Sequence, residues 1–253
     1  MSEKIKIEFR GVEKSFGGNH VLRGVDLRIP AGEITVIIGR SGEGKSVLIK
    51  HVIRLLRPDR GQVLIDGTDI APFRTAGLGE LRAKFGMLFQ GGALFDSMTV
   101  EENVSFPLRE HTRLSPREIS EKVREKLHLV GLDGIEDRMP SQLSGGMQKR
   151  VGLARAIIRE PEILLYDEPT TGLDPILADS IDQLIVRMEE TLSITSLIIS
   201  HDIQRAMEFA HSVAMLYEGK ILAHGSPQEI SSSDNPVIRQ FLAGSSEGPI
   251  QVL

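Results

Sequence analysis

The sequence predicts an α/β fold built on a largely parallel sheet. Short apolar, β-branched runs recur along the chain, and stretches with apolar residues at helical spacing separate them. One of the apolar runs passes directly into a glycine-rich loop and then into a helix-like segment. Strands alternating with helices in this way favour parallel pairing.

The opening segment reads as strands. Ile5, Ile7 and Phe9 alternate with polar residues, as do Val25, Leu27 and Ile29. Pro30, Ala31 and Gly32 make a turn, and Ile34–Ile38 suits a buried strand. Residues 39–46 are rich in glycine, and residues 47–56 have helical character. Leu64, Ile65 and Asp66 run into a turn at Gly67, and residues 85–89 form another short strand.

The middle of the chain changes character. Ser115 as N-cap, Pro116 at the first helical position and Glu118 three residues after the cap mark a helix start. Ile119, Val123, Leu127 and Val130 then recur at helical spacing. Residues 143–159 read likewise, with Val151, Ala154, Ile157 and Ile158 on one face. The region between Phe89 and Glu160 is expected to form a helical lobe. Residues 163–166 are an apolar run ending at Asp167, and residues 196–199 a similar run ending at Ser200 and His201. Residues 213–217 and 221–223 flank Glu218-Gly219, which suits a hairpin. From Gly244 onward the sequence is poor in core residues and reads as a tail.

Composition narrows the function classes. A chain of 253 residues fits one large α/β domain or two small ones. Its net charge of -5 gives a nucleic-acid partner no support, and none is expected. The absence of cysteine excludes disulfides and thiolate metal sites. Residues 1–10 mix charges with isolated apolar residues, unlike a secretory signal. No run reaches the roughly 18 apolar residues that a membrane span needs. If the protein serves a membrane, another chain does the crossing.

Gly39-Arg40-Ser41-Gly42-Glu43-Gly44-Lys45-Ser46 matches the pattern G-x-x-x-x-G-K-[ST]. A chance match in such a chain is roughly a one-in-a-hundred event at average residue usage. The motif also has the strand before it and the helix after it that its chemistry requires. Glycines let backbone N–H groups curl around phosphate oxygens, and the helix start adds free N–H groups and a positive dipole end. Lys45 is then expected to reach the β- and γ-phosphates of a nucleotide, and Ser46 to ligate Mg²⁺.

Such a loop needs a second carboxylate for the metal. Asp167 follows a buried strand, at the carboxyl end where open α/β sheets bind ligands. Glu168 is placed to polarise an attacking water. The same pair also fits the start of a surface loop before Pro169. Leu143-Ser144-Gly145-Gly146-Met147 is read as opening a helix over residues 148–159. That segment fits a second anion site at a helix N-terminus, serving the nucleotide of a partner subunit. Taken as the only motif, it fits a simply capped helix start better.

These parts, in this order, resemble the nucleotide-binding subunits of ABC transporters from about Lys6 to Leu242. In that resemblance Phe16 matches the aromatic that stacks on adenine, residues 39–46 the Walker A loop, and Gln90 the Q-loop glutamine. Residues 143–147 match the signature loop, Asp167 and Glu168 close Walker B, Leu173-Asp174-Pro175 is the D-loop, and His201 the switch histidine. The resemblance implies a P-loop NTPase (RecA-like) core with a mainly parallel sheet. An N-terminal antiparallel β subdomain and an inserted α-helical subdomain at about residues 91–160 complete the ATPase domain, residues 1–243, ahead of a tail at 244–253. It also implies a head-to-tail homodimer binding ATP and Mg²⁺. Catalytic roles fall to Glu168, His201 and Gln90, metal contacts to Ser46, Gln90 and Asp167, contacts in trans to Ser144 and Gly146, and further nucleotide contacts to Gly145 and Asp174. Two positions depart from the family pattern: Met147 stands where the signature usually has Gln, and Val47 where a second hydroxyl is common. Neither removes a catalytic group.

Residues 89–108, with the Met-ending signature and residues 172–176, resemble ATPases of the Mla type, which drive phospholipid movement between the inner and outer membranes of diderm bacteria. This implies a cytoplasmic subunit, peripheral on the inner membrane through a Mla-type permease dimer. An MCE-domain substrate-binding protein and a STAS-domain protein are further implied partners. Residues 244–253 either reach a neighbouring ATPase or form a disordered end. The rival readings are another cargo such as an amino acid, a non-transport ABC protein, a small-molecule kinase, and an ATP-holding switch. The last two leave Ser144–146 and His201, or Glu168, without a role.

Overall fold

The computed structural model describes residues 4–73 and 75–251. The ends of the opening segment and of the tail (residues 1–3, 252 and 253) lie outside the described residues. The chain divides into two compact units. The first comprises residues 1–74 and 197–253, the second residues 75–196.

The first unit opens with β1 (Ile5–Phe16) and β2 (Asn19–Pro30), paired antiparallel with Phe9 opposite Leu27 and Val12 opposite Val25. The alternation seen in the sequence buries Ile7, Phe9, Val25, Leu27 and Ile29. β3 (Ile34–Ile38) is buried along its whole length, as its unbroken apolar run requires. α1 (Lys45–Val52) is shorter than the helical stretch read over residues 47–56. Arg54 leaves the helix with φ 59°, and its guanidinium donates to the carbonyls of Ile70 and Ala71 at 3.0 and 2.6 Å. That exit leaves Leu55 exposed. β4 (Arg60–Ile65) pairs with the free edge of β1, and β5 (Thr68–Asp69) follows a tight turn. In that turn Asp66 and Gly67 take φ 50° and 75°, the left-handed pair that hairpins favour. The resulting antiparallel sheet has the order β2-β1-β4-β5.

The second unit holds α2 (Thr75–Ala83), β6 (Phe85–Leu88), α3 (Val100–His111), α4 (Pro116–Leu129) and α5 (Gly145–Ile157). β7 (Ile163–Asp167) and α6 (Pro175–Leu192) follow, and β8 (Thr195–Ile199) begins there. β6 and β7 run parallel, with Gly86 opposite Leu164. The capping box read at Ser115 and Glu118 is present in both directions. α3 carries a second one, Thr99 with Glu102, that the sequence reading passed over. α3, α4 and α5 pack on one another through Val104, Leu108, Val123, Leu127 and Val151, all buried.

The chain completes the first unit with α7 (Ile203–Phe209), β9 (Ser212–Tyr217), β10 (Lys220–Gly225), α8 (Pro227–Ser231) and α9 (Pro236–Ala243). β9 lies between β10 and β3, antiparallel to the former and parallel to the latter. Glu218 and Gly219 form the expected hairpin turn at φ 47° and 76°. The last segment is not bare of core residues. Ile250 is buried, and its N–H and carbonyl bond the Gln240 side chain of α9 at 2.6 and 3.0 Å.

Candidate active site

In the first unit β3 delivers the chain into the phosphate loop, and the glycines there are sterically required. Gly39 has φ 149°, and a Cβ on it would lie 2.3 Å from the Leu216 carbonyl oxygen. Gly44 has φ 101°, and its Cβ would lie 2.7 Å from Val21. Lys45, 5% exposed, folds back so that Nζ donates to the carbonyls of Gly39 and Arg40, each at 2.7 Å. The ammonium is thus held across the loop. The first turn of α1 carries no acidic side chain that would compete for its N–H groups. Ser41 and Gly42 are exposed, while Glu43, Ser46 and Val47 are half-buried.

The same unit carries Phe16 and His201. Phe16 leaves its ring 44% exposed at the end of β1, with Lys14 Nζ 5.5 Å from the ring centre. His201 is exposed just beyond β8. Its neighbours are fixed: Ser200 N–H donates to the Ile37 carbonyl at 3.2 Å, and Asp202 caps α7.

In the second unit Gln90 is exposed after β6. The loop behind it turns through Gly92 and Ala93 at φ 75° and 47°. Arg155 of α5 holds that turn, donating to both carbonyls at 2.8 Å, with its guanidinium 5.8 Å from the Phe95 ring centre. β7 ends in Asp167, half-buried, and Glu168 follows at φ 54°, where non-glycine residues are uncommon. Thr171 Oγ1 donates to Glu168 Oε2 at 3.2 Å. Lys149 Nζ donates to the carbonyls of Pro169 and Thr171, both at 2.6 Å. Burial pushes the Lys149 ammonium below the usual lysine range, and the charge of Glu168 opposes that shift.

The signature segment differs from its reading in one respect. α5 begins at Gly145, so Gly145, Gly146 and Met147 are its first turn and not a loop before it. Ser144 is the N-cap, its Oγ accepting from Met147 N–H at 3.3 Å. The chain's own packing does not demand these glycines: a Cβ at Gly145 or Gly146 would meet only ordinary contacts, at 3.8 and 3.5 Å. Asp174 caps α6, accepting from Ile176 and Leu177 N–H at 3.0 Å. Lys149, Arg155 and Thr171 were not singled out from sequence, because their partners lie on other elements or in an unremarked turn.

The donors suit the expected ligands. A glycine cradle with a buried lysine fits a polyphosphate, and the oxygen donors of Ser46, Gln90 and Asp167 are the hard ligands that Mg²⁺ prefers.

The family model described as "ABC transporter" matches residues 22–171. The chain is 47% identical over 246 residues to the "Probable ribonucleotide transport ATP-binding protein mkl" of Mycobacterium leprae, covering 97% of this chain and 71% of that one. It is 44% identical to the chloroplastic protein "TRIGALACTOSYLDIACYLGLYCEROL 3" of Arabidopsis thaliana, covering 98% and 76%. It is 40% identical to the "Intermembrane phospholipid transport system ATP-binding protein MlaF" of Escherichia coli K12, covering 96% and 91%. Among solved structures, cbiO1 of Clostridium perfringens, part of the ABC transporter complex cbiONQ, superposes with TM-score 0.84 at 33% identity, covering 94% of each chain. A dimeric ATP-binding cassette in a post-hydrolysis state with ADP and Pi gives TM-score 0.80 at 32% identity, covering 87% and 98%.

Proposed function

This chain belongs to the ABC transporter family as an ATP-hydrolysing cassette, and on that premise we propose that its hydrolysis drives phospholipid transport between inner and outer membranes. The observation that carries the ATPase part is the phosphate loop, with Lys45 already held across its carbonyls and glycines where side chains would collide.

The residues divide the work as follows. Residues 39–47 cradle the phosphates, Lys45 meets the β- and γ-phosphates, and Phe16 stacks on adenine. Ser46, Gln90 and Asp167 would hold Mg²⁺, which when bound would supply positive charge to offset that of the phosphates. Glu168 orients the attacking water, while Gln90 and His201 sense the γ-phosphate. Ser144 and Gly146 serve the ATP of the partner copy in a head-to-tail dimer, and Gly145 and Asp174 add nucleotide contacts. Positioning and charge stabilisation of this kind are what phosphoryl transfer asks of a protein.

Cassettes of this kind dimerise and partner with membrane permeases. Among the described residues no helix is long and apolar enough to cross a membrane, so a permease supplies the path. The lipid cargo is supported by likeness to MlaF and to the chloroplast protein along almost the whole chain. That reading places the subunit on the cytoplasmic side of the inner membrane, on a Mla-type permease dimer with an MCE-domain protein and a STAS-domain protein. A second reading, ribonucleotide transport, is favoured by the name of the mycobacterial relative and its higher identity.

The test reconstitutes the chain with its co-purified permease in vesicles holding a fluorescent phospholipid, alongside a labelled ribonucleotide. ATP-dependent movement of the lipid, absent in Glu168→Gln, is expected. Movement of the ribonucleotide with the lipid left in place would overturn the lipid cargo.

A further inference from the structure

The second unit buries a cation that is not among the residues assigned to the nucleotide. Lys149 lies on α5 just past the first turn and is 5% exposed. Burying an ammonium is costly unless it is hydrogen-bonded, and here two backbone carbonyls, those of Pro169 and Thr171, satisfy it at 2.6 Å each. An apolar side chain of similar length would fill the same space without that penalty. What the lysine adds is a fixed link between α5 and the turn that starts at Glu168. That turn needs holding: Glu168 sits at φ 54°, and such a conformation persists only where its surroundings impose it. Within the turn the Thr171 hydroxyl donates to the Glu168 carboxylate, so fixing the Thr171 backbone also fixes what orients the carboxylate.

We infer that Lys149 is a positioning residue for ATP hydrolysis: it pins residues 168–171 to α5 so that Glu168 presents its carboxylate in one orientation. The helix it anchors to is the one capped by Ser144. A shift of α5 is therefore passed, through the Lys149 ammonium, to the turn that carries Glu168. The inference rests on the assignment of Glu168 as the water-orienting group.

The test compares Lys149→Met and Lys149→Gln with Glu168→Gln, each in the chain co-purified with its permease. It reads kcat, KM for ATP and the affinity for a fluorescent ATP analogue. A misplaced catalytic group costs about ten- to a hundredfold in rate, so Lys149→Met should lose that much kcat with KM and analogue affinity within about twofold. Lys149→Gln, whose amide still donates, should recover part of the loss. Unchanged kcat in Lys149→Met, or a parallel loss of analogue binding in both lysine variants, would overturn the inference. Should the Met variant alone fail to fold, the Gln variant is judged by the same kcat-against-KM split. Normal turnover by Glu168→Gln would sink the Glu168 assignment and this inference together. A silent Glu168→Gln beside a fully active Lys149→Met would sink only the role of Lys149.

Discussion

Lys45 Nζ lies 2.7 Å from the carbonyl oxygen of Gly39, so the cation proposed to meet phosphate is bonded to the first residue of its own loop. A nucleotide then meets an ammonium that is already ordered. Hydrogen bonds to a charged group contribute about 1.5–3 kcal/mol. Lys45→Ala should weaken ATP binding at least about tenfold, measured by titration with a fluorescent analogue. Wild-type affinity in that variant would contradict the phosphate site.

Glu168→Gln keeps the shape of the side chain and removes its basicity. Loss of a positioned general base costs about a hundredfold or more in rate. The variant should bind ATP, hold it, and elute as a nucleotide-loaded dimer in size-exclusion chromatography. Full turnover would remove Glu168 from the mechanism.

The Gln240 side chain both accepts from and donates to Ile250, closing the last described turn of chain onto α9. Truncating a buried isoleucine costs about 2–5 kcal/mol, with the lower end expected this close to the surface. Ile250→Ala and Gln240→Ala should each lower the urea midpoint of the chain. An unchanged midpoint in both would mean that this segment adds nothing to the fold.

His51 of α1 is 1% exposed, and its Nδ1 bonds the Val47 carbonyl at 2.7 Å. Burial, chiefly, holds its pKa below the usual histidine value, with the nearby charge of Lys14 adding to the effect and the bond to the Val47 carbonyl and the charge of Asp59 opposing it. The folded state therefore takes up its proton later than the unfolded state as pH falls. Stability should drop on acidification from about pH 6.5 down to the lowered folded value. Thermal melts at stepped pH should show this drop, and His51→Leu should flatten it. An equal acid slope in both proteins would assign the effect to other groups.

The sequence revealed what local chemistry writes into it. The phosphate loop, the Ser115 capping box, the Glu218-Gly219 hairpin and the buried strands β3 and β7 each depend on residues within a few positions. The Thr99-Glu102 capping box was equally local and carried the same signal. The early end of α1 was not legible, because Arg54 leaves the helix to reach carbonyls of Ile70 and Ala71. Neither were the anchoring roles of Lys149 and Arg155. A basic residue on a helix looks like a solvated one until the fold brings distant carbonyls to it. Ile250 was hidden for the same reason, since a lone apolar residue among glycines and serines has no periodicity to betray it.

Residue 168 also sets two demands on the chain against each other. A left-handed backbone on a non-glycine residue costs on the order of 1–3 kcal/mol, and glycine would relieve it. Replacing the glutamate by glycine would relieve that backbone cost, give up the bond from Thr171, and remove the group proposed to orient the attacking water. Any search for heat-resistant variants that selects on folding alone is therefore drawn toward losing the engine at this one position.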